Sequence, residues 1–209
     1  MKIIDISWPI SEQTTQYKTK KEIKIIPTKT FEKDYFRESL ITIGSHSGTH
    51  VDSPAHYLQH GTTLDKIPLS SLIGPANVLD LSHINEKITA QDLEKFEIKK
   101  DEIILLKTKN SNKAAFETFD PNFIYLSTDG AQFLTEKKVK AVGIDYLGIE
   151  RNQPGHETHK ILLEKNILII EGLRLKEVKS GKYIFTCLPL LIENIESSPA
   201  RTILMEINL

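Results

Sequence analysis

The chain has 209 residues, 39% of them hydrophobic, and its interspersed basic and acidic residues leave a formal net charge of −1. This suits a single soluble domain, 1–209, with an ordinary core, and gives no electrostatic reason to expect a nucleic acid or a membrane as partner. The single cysteine, Cys187, excludes an internal disulfide framework, and no apolar run approaches the roughly 18–20 residues of a membrane-spanning helix, so we expect a cytoplasmic protein.

The first part of the chain is predicted to be mostly extended. The N-terminal MKIIDISWPI has only a brief apolar stretch, broken by Asp5 and Pro9, and is a poor signal peptide. Strands are predicted in KIIDIS, EIKIIPT and ESLITIG. Residues 11–40 contain many Lys, Thr and Gln with little helical periodicity, which predicts hairpins and loops.

Helices and strands alternate through the rest of the chain. Strands are predicted in GPANVLDLS, DEIILLKT, KAVGIDY, ILIIEG, GKYIFTCLPLLI and RTILMEINL. Helices are predicted in TAQDLEKFEI, STDGAQFLTEKKV and GHETHKILLEKN, the first with a capping box formed by Thr89 and Asp92. The apolar run in DEIILLKT predicts burial on both faces of that strand. The order of these predicted strands and helices along the chain indicates a mixed α/β domain with helices covering one side of a sheet.

The segment GSHSGTHVDSPAHY, residues 44–57, concentrates histidines and an aspartate beside glycines. We expect a strand end there, in which alternation directs His50 and Asp52 to the same side, and a glycine-bent loop that lets His46 join them. Imidazole and carboxylate donors suit zinc, manganese or another divalent ion, with positions left open for an activated water. His56 suits a general acid/base better than a further ligand. Any one of these residues alone would be explained by a backbone hydrogen bond or a turn cap, but the four together favour a metal site.

A second group of candidates lies in PGHETHKILLEKNILIIEG. His159 stands near the start of the predicted helix, and Glu171 closes the strand that follows. Each alone would be a capping, surface or solvated residue, but functional residues in open α/β sheets favour the carboxyl ends of strands, so the two can meet in one cleft. If Asp52 bridges, a second ion held by Asp52, His159 and Glu171 would complete a two-metal site with ions about 3.5–4 Å apart. His156 is a weaker candidate ligand.

The motif HSGTHVDSPAH is similar to the HxGTHxDxPxH motif of the cyclase-like metal hydrolases, a family that includes bacterial kynurenine formamidase (arylformamidase) and isatin hydrolase. The likeness extends from about Gly44 to the end of the chain. It includes HYLQHGTTLDKIPLSSLIGPANVLDLS, KAVGIDYLGIE, the spacing from His159 to Glu171, EGL and LPLLIENIESSPAR. The early IDISWPI also resembles the family's opening strand.

This resemblance implies a swivelling β/β/α layered fold, assembly as a homodimer or homotetramer, and metal-dependent hydrolysis of an amide or lactam-like C–N bond in a small molecule. By matched position it implies these roles: His46, His50 and Asp52 as ligands of a first metal; Asp52, His159 and Glu171 as ligands of a second; and His56 as the catalytic acid/base. Zinc fits the formamidases and manganese fits the isatin hydrolase-like members.

The segment after the first strand bears on the substrate, and here the sequence departs from the formamidase pattern. Formamidases usually carry a proline- and glycine-rich stretch with an aromatic residue after the first strand, whereas this chain reads WPISEQTTQYKTKKE. Trp8 and Tyr17 are candidates to stack on an aryl substrate, although Trp8 is as well explained by core packing. The alternatives to an arylformamidase acting on N-formylkynurenine are an isatin hydrolase-like lactam hydrolase, a non-catalytic metal-binding protein of the same fold, and a cyclase acting on a polyketide-like substrate. Catalysis by Cys187 is disfavoured because YIFTCLPLL predicts a buried thiol.

Overall fold

The computed structural model describes residues 1–206. The strands in this part of the chain are β1 (Ile3–Asp5), β2 (Lys24–Lys29), β3 (Glu38–Thr42), β4 (His50–Asp52), β5 (Ile73–Asp80), β6 (Lys87–Ile88), β7 (Ile103–Lys107), β8 (Tyr125–Leu126), β9 (Ala141–Ile144), β10 (Leu168–Glu171), β11 (Gly181–Pro189) and β12 (Ser197–Glu206). The α-helices are α1 (Phe31–Asp34), α2 (Ala90–Leu93), α3 (Thr128–Glu136) and α4 (Glu157–Leu163).

One large sheet organises the molecule, with strand order β1-β12-β11-β5-β7-β9-β10-β4. Strand β4 also pairs with the beginning of β12, so the strands from β12 round to β4 close into a barrel. The pairs β5–β7, β7–β9 and β9–β10 are parallel, while β4 is antiparallel to both of its neighbours. This closed sheet with helices packed against it confirms the expected mixed α/β fold.

The parallel strands are apolar on both faces because each face lies against a different core. In β7, Ile103 and Leu105 belong to the cluster inside the barrel, whereas Ile104 and Leu106 belong to the cluster beneath the helices. All four side chains are fully buried, which confirms the prediction for DEIILLKT. Cys187 lies in the barrel cluster on β11, where burial raises the pKa of its thiol to about 12, so it is the buried cysteine that the sequence predicted.

The helices cover the outer side of the parallel strands, as predicted. Helix α3 packs between α2 and α4, and α4 packs on β10. Helix α2 starts with the predicted capping box, in which Asp92 accepts a hydrogen bond from the Thr89 backbone N–H at 3.1 Å. The helix ends at Leu93 rather than continuing to Ile98, because the chain turns there and brings Phe96 and Ile98 onto the core beneath the helices. Within residues 1–206, no helix is long and apolar enough to cross a membrane.

Several segments differ in extent from the sequence prediction. Strand β12 starts at Ser197, ahead of the predicted start at Arg201, because Ser197–Pro199 pair with β4. The predicted RTILMEINL strand is present through Glu206, and its last three residues lie outside the described residues. Strands β2 and β3 form the hairpin expected within the polar N-terminal region, and the one-turn helix α1 between them was not predicted. The short pair β6–β8 was also not predicted.

A close backbone contact fastens the end of β10 to the loop before β4. Gly172 has a φ of +72°, and a Cβ added to it would overlap the carbonyl oxygen of Gly48. The Gly172 carbonyl accepts a hydrogen bond from Thr49 Oγ1 at 2.5 Å, and that hydroxyl accepts one from the Trp8 backbone N–H at 2.6 Å. Because Gly172 directly follows Glu171, this contact fixes where β10 ends.

Replacing Gly172 by Ala should lower the free energy of unfolding by roughly 1–3 kcal/mol, because the new methyl group meets backbone that cannot move aside and the positive φ disfavours alanine. Urea denaturation of both proteins measures the difference. Gly155→Ala is the matched control, since a Cβ there meets only the flexible side chain of Glu157. Equal losses in the two variants would show that the Gly172 contact does not constrain the fold.

Candidate metal centre

The register between β4 and β10 places three of the candidate ligands on one face of the sheet. His50 lies opposite Glu171, and Asp52 lies opposite Ile169. Since side chains alternate along a strand, Val51 points into the barrel core, while His50 and Asp52 point to the other side. Ile169 belongs to the core beneath the helices, so this face of β4 and β10 is the one that α4 covers.

The other two candidate ligands reach the same face from different directions. His46 comes from the loop before β4, and its Nδ1 lies 3.0 Å from Asp52 Oδ1. His159 lies on the buried side of α4, one turn before Leu162 and Leu163, which pack in the core beneath the helices. Its Nε2 lies 3.8 Å from Asp52 Oδ2. Helix packing therefore sets the position of His159 above the strands.

All five predicted ligands meet around the Asp52 carboxylate. The Nε2 atom of His50 lies 3.7 Å from Asp52 Oδ1 and 3.4 Å from Glu171 Oε2. The Nε2 atom of His159 lies 3.5 Å from Glu171 Oε1. Asp52 Oδ1 faces His46 and His50, and Oδ2 faces His159, so this carboxylate stands between the histidines in and before β4 and the histidine on α4.

His56 lies beside this group, at the end of the short 3₁₀ turn Pro54–His56 that follows β4. Its ring centroid is 4.2 Å from that of His46 and 5.7 Å from that of His159. Burial lowers the pKa of His56 to about 4 despite the nearby Asp52 carboxylate, so its imidazole is neutral at neutral pH. The side chain faces the cavity described below.

The pKa values at the centre are set by two buried carboxylates and the imidazoles beside them. Burial opposes the charged form of His50, but the Asp52 and Glu171 carboxylates raise its pKa to about 9. Burial also opposes the imidazolium form of His159, yet Glu150 and Glu171 raise its pKa to about 10. Burial alone would raise the pKa values of Asp52 and Glu171, but the surrounding imidazoles hold both below their ordinary range. The negative charges are therefore stable only beside cations.

The donor atoms also fit a divalent metal ion. Within residues 1–206, four buried atoms of the candidate ligands have no hydrogen-bond partner: His50 Nε2, Asp52 Oδ1, Asp52 Oδ2 and His159 Nδ1. The last of these faces Glu150 Oε1 at 2.9 Å, and the other three face the centre. A buried polar atom without a partner costs about 1–3 kcal/mol, so the three at the centre need an explanation. His50, Asp52 and Glu171 each offer a ligand atom within 4.8 Å of the others, as do His46, Asp52 and His56. Nitrogen and carboxylate oxygen are the ligands of zinc and other first-row ions, so a metal would satisfy these atoms.

Sequence reasoning missed two carboxylates that contact the outer nitrogens of the histidines. Glu196 Oε1 lies 3.2 Å from His46 Nε2 and accepts a hydrogen bond from Ser45 Oγ at 2.7 Å. Glu150 Oε1 lies 2.9 Å from His159 Nδ1. Neither carboxylate belongs to a histidine-containing motif, so no local spacing identified them. The signal available was their place in KAVGIDYLGIE and LPLLIENIESSPAR, two segments that carry the family likeness.

His156, the weaker candidate ligand, lies behind His159 instead of facing Asp52. Its side chain is 49% exposed, and its Nδ1 lies 2.6 Å from Glu150 Oε1. The hydroxyl of Tyr57 is 3.1 Å from the same nitrogen. The structure therefore groups His156 with Glu150 and His159, apart from the donors around Asp52.

A cavity of about 740 Å³ opens beside the Asp52 centre. His46, His50, His56, His159 and Glu171 line one side of it, and the rest of its wall includes these aromatic and cationic side chains: Tyr17, Tyr57, Phe119, Phe123, Lys18, Lys20 and Arg151. Tyr17, a candidate to stack on an aryl substrate, therefore lines the cavity. Trp8 does not line the cavity, since it is only 2% exposed, donates its indole N–H to the Ala115 carbonyl at 3.0 Å and packs edge-on against Tyr146.

Comparisons with known proteins agree with this fold. The family model for putative cyclases matches residues 4–151. Cyclase-like protein 1 of Arabidopsis thaliana is 34% identical over 177 residues, which cover 80% of this chain and 69% of that protein. Kynurenine formamidase of Bacillus thuringiensis (strain Al Hakam) is 31% identical over 168 residues, which cover 80% of this chain and 79% of that enzyme. The chain spans about two thirds of the length of the plant relatives that it matches.

Solved structures show the same arrangement over almost the whole chain. A potential metal-dependent hydrolase with cyclase activity is 41% identical, with a TM-score of 0.88, over 97% of this chain and 96% of that chain. An isatin hydrolase bound to the product analogue thioisatinate has a TM-score of 0.86 at 22% identity, over 97% of this chain and 91% of that chain, and shows likeness of fold alone. The class of this protein is therefore a closed β-barrel with helices packed on its outer side. The chain belongs to the cyclase family.

Proposed function

We propose that this protein is a metal-dependent hydrolase that cleaves the amide C–N bond of a small aryl formamide, in the manner of an arylformamidase. The observation that carries the proposal is the convergence of imidazole and carboxylate donors on Asp52 at the wall of a cavity with aromatic side chains. The similarity to a kynurenine formamidase supports the formamide, and the similarity to a potential metal-dependent hydrolase supports hydrolysis.

The proposed metal ligands are the five residues that meet at the centre: His46, His50, Asp52, His159 and Glu171. One or two divalent ions bound there, zinc or manganese, would polarise the substrate carbonyl and lower the pKa of a bound water to about 7. The chain's own contribution is to hold these ligands rigidly, since β4 pairs on both sides and α4 packs on the core. Ligands carried by strands and helices are held more precisely than ligands carried by loops.

His56 is the proposed acid/base. Its ring centroid lies 4.2 Å from that of His46 and 5.7 Å from that of His159, and the side chain lines the cavity, which supports a role beside a carbonyl carbon bound at the centre. As water attacks the formyl carbon, its imidazole takes the proton that water loses, and it then gives that proton to the nitrogen as the C–N bond breaks. The products are formate and an aryl amine, so no further reactant is needed.

The part of the cavity wall formed by Tyr17, Phe119 and Phe123 is the proposed site for the aryl group of the substrate. Tyr17 and Phe119 contact edge to face, with ring centroids 5.0 Å apart, and Phe119 lies 5.9 Å from Phe123. Side chains in such an arrangement offer both a ring face and a ring edge to a further aromatic ring. The substrate's formamide would then lie toward His56 and Asp52.

A hydrolysis screen tests the proposed activity. Protein loaded with zinc or manganese is assayed on N-formylkynurenine, on other aryl formamides and on lactams such as isatin, beside protein stripped with a chelator. We expect the loaded protein to turn over aryl formamides, the stripped protein to be inactive, and activity to return when the metal is restored. Turnover of lactams alone would favour an isatin hydrolase-like activity, and no turnover of amides, esters or lactams would favour a non-catalytic metal-binding protein.

Replacing His56 by Ala should lower kcat by about 10²–10⁴, the usual contribution of general acid–base help, while leaving the metal content unchanged. His60→Ala is the matched control, because His60 lies in the same segment but is exposed. Its activity should equal that of the wild type. Full activity in the His56 variant would remove His56 from the mechanism, and loss of metal together with activity would make it a ligand instead.

A further inference from the structure

We infer that Glu150 is a positioning residue, which sets the orientation and tautomer of His159 and thereby the affinity of the metal position formed by Asp52, His159 and Glu171. The inference rests on the proposed function, because it takes these three residues as ligands. Glu150 lies in the loop between β9 and α4, and its side chain is only 6% exposed.

The Glu150 carboxylate contacts His159 twice. Its Oε1 lies 2.9 Å from His159 Nδ1, and its Oε2 accepts the backbone N–H of His159 at 3.1 Å. The first contact fixes the ring and the second fixes the start of α4 that carries it. The same Oε1 lies 2.6 Å from His156 Nδ1, so the carboxylate itself is held in place from the solvent side.

This contact decides which nitrogen of His159 is free to bind a metal. A carboxylate facing Nδ1 keeps a proton on that nitrogen, so the proton that a metal displaces is the one on Nε2, and Nε2 then supplies the lone pair. Nε2 is the atom that points at the centre, 3.5 Å from Glu171 Oε1 and 3.8 Å from Asp52 Oδ2. A histidine that binds metal through one nitrogen while a buried carboxylate lies against its other N–H is better oriented than one left free.

The residue before Glu150 holds a second ligand of the same metal position, Glu171. The backbone N–H of Ile149 donates a hydrogen bond to Glu171 Oε1 at 2.6 Å. Two adjacent residues thus hold His159, from α4, and Glu171, from the end of β10. The segment Ile149–Glu150 therefore fixes the distance between two ligands that come from different elements.

Glu196 is the corresponding carboxylate on the other side of the centre, and it is more exposed and farther from its histidine than Glu150 is. Glu196 contacts His46 Nε2 at 3.2 Å, but its side chain is 37% exposed. His50 has a backbone partner instead, with its Nδ1 2.9 Å from the Gly48 carbonyl oxygen. Because buried charge–imidazole contacts are screened less than exposed ones, removal of Glu150 should affect metal binding more than removal of Glu196.

Zinc titration of the metal-free protein against a chromophoric chelator tests the inference. In Glu150→Ala and Glu150→Gln, one of the two zinc equivalents should bind about 10–100-fold more weakly, and the other should be unchanged. Glu150→Asp keeps the carboxylate and should recover part of the loss. Glu157→Gln is the matched control, since it removes an exposed carboxylate from the same end of α4 and should bind zinc as the wild type does.

The thermal unfolding of each metal-free variant shows whether it is folded, and the isosteric Glu150→Gln decides the question if Glu150→Ala does not fold. Wild-type affinity for both zinc equivalents in the folded Glu150 variants would overturn the inference while leaving the proposed hydrolysis intact. A third zinc equivalent in the wild type that is lost in both Glu150→Ala and His156→Ala would also overturn it, because Glu150, His156 and His159 would then be ligands themselves. Selective loss of zinc affinity in a protein with no hydrolytic activity would support the inference and overturn the proposed function.

Discussion

Two carboxylates, Asp52 and Glu171, lie together on paired strands with side chains that are almost fully buried. Charge of one sign is stable in a protein interior only when cations compensate it, and here the carboxylates raise the pKa values of His50 and His159, whose imidazolium forms supply that charge. A divalent ion can take over that compensation and also satisfy the buried donor atoms that have no hydrogen-bond partner. The electrostatic cost of this cluster is therefore the same property that would make it bind metal tightly.

The fold supplies the rigidity that such a cluster requires. Strand β4 closes the barrel, since it pairs with β10 on one side and with β12 on the other. The backbone of its two outward residues, His50 and Asp52, is held by pairing on both sides. Helix α4 brings His159 from above with the same face that carries Leu162 and Leu163 into the core. The centre is thus assembled by strand pairing and helix packing, while the cavity wall is formed largely by loops.

Much of this arrangement follows from local patterns in the sequence. The alternation in His50–Val51–Asp52 correctly predicted two donors on one side, and the apolar run of β7 correctly predicted burial on both faces. The convergence of distant segments was predicted from the carboxyl end of a strand and the start of a helix. These signals are local because strand alternation and helix starts are set by neighbouring residues.

The remainder depends on contacts that no local pattern encodes. The start of β12, Ser197–Pro199, is polar and is extended only because β4 pairs with it across the barrel closure. Helix α2 ends early because the chain turns after Leu93, and this turn buries Phe96 and Ile98 against the core beneath the helices. Glu150 has no distinguishing neighbours in the sequence, and its position behind His159 is visible only once β9 and α4 are placed.

The metal content of an Asp52→Asn variant is the most direct measurement of the central claim, that a single carboxylate joins both halves of the centre. The substitution keeps the shape of the side chain and removes its charge. Elemental analysis after loading with zinc should find metal in the wild type and almost none in the variant, because each Asp52 oxygen faces a different group of ligands. A folded variant that binds as much zinc as the wild type would contradict the account.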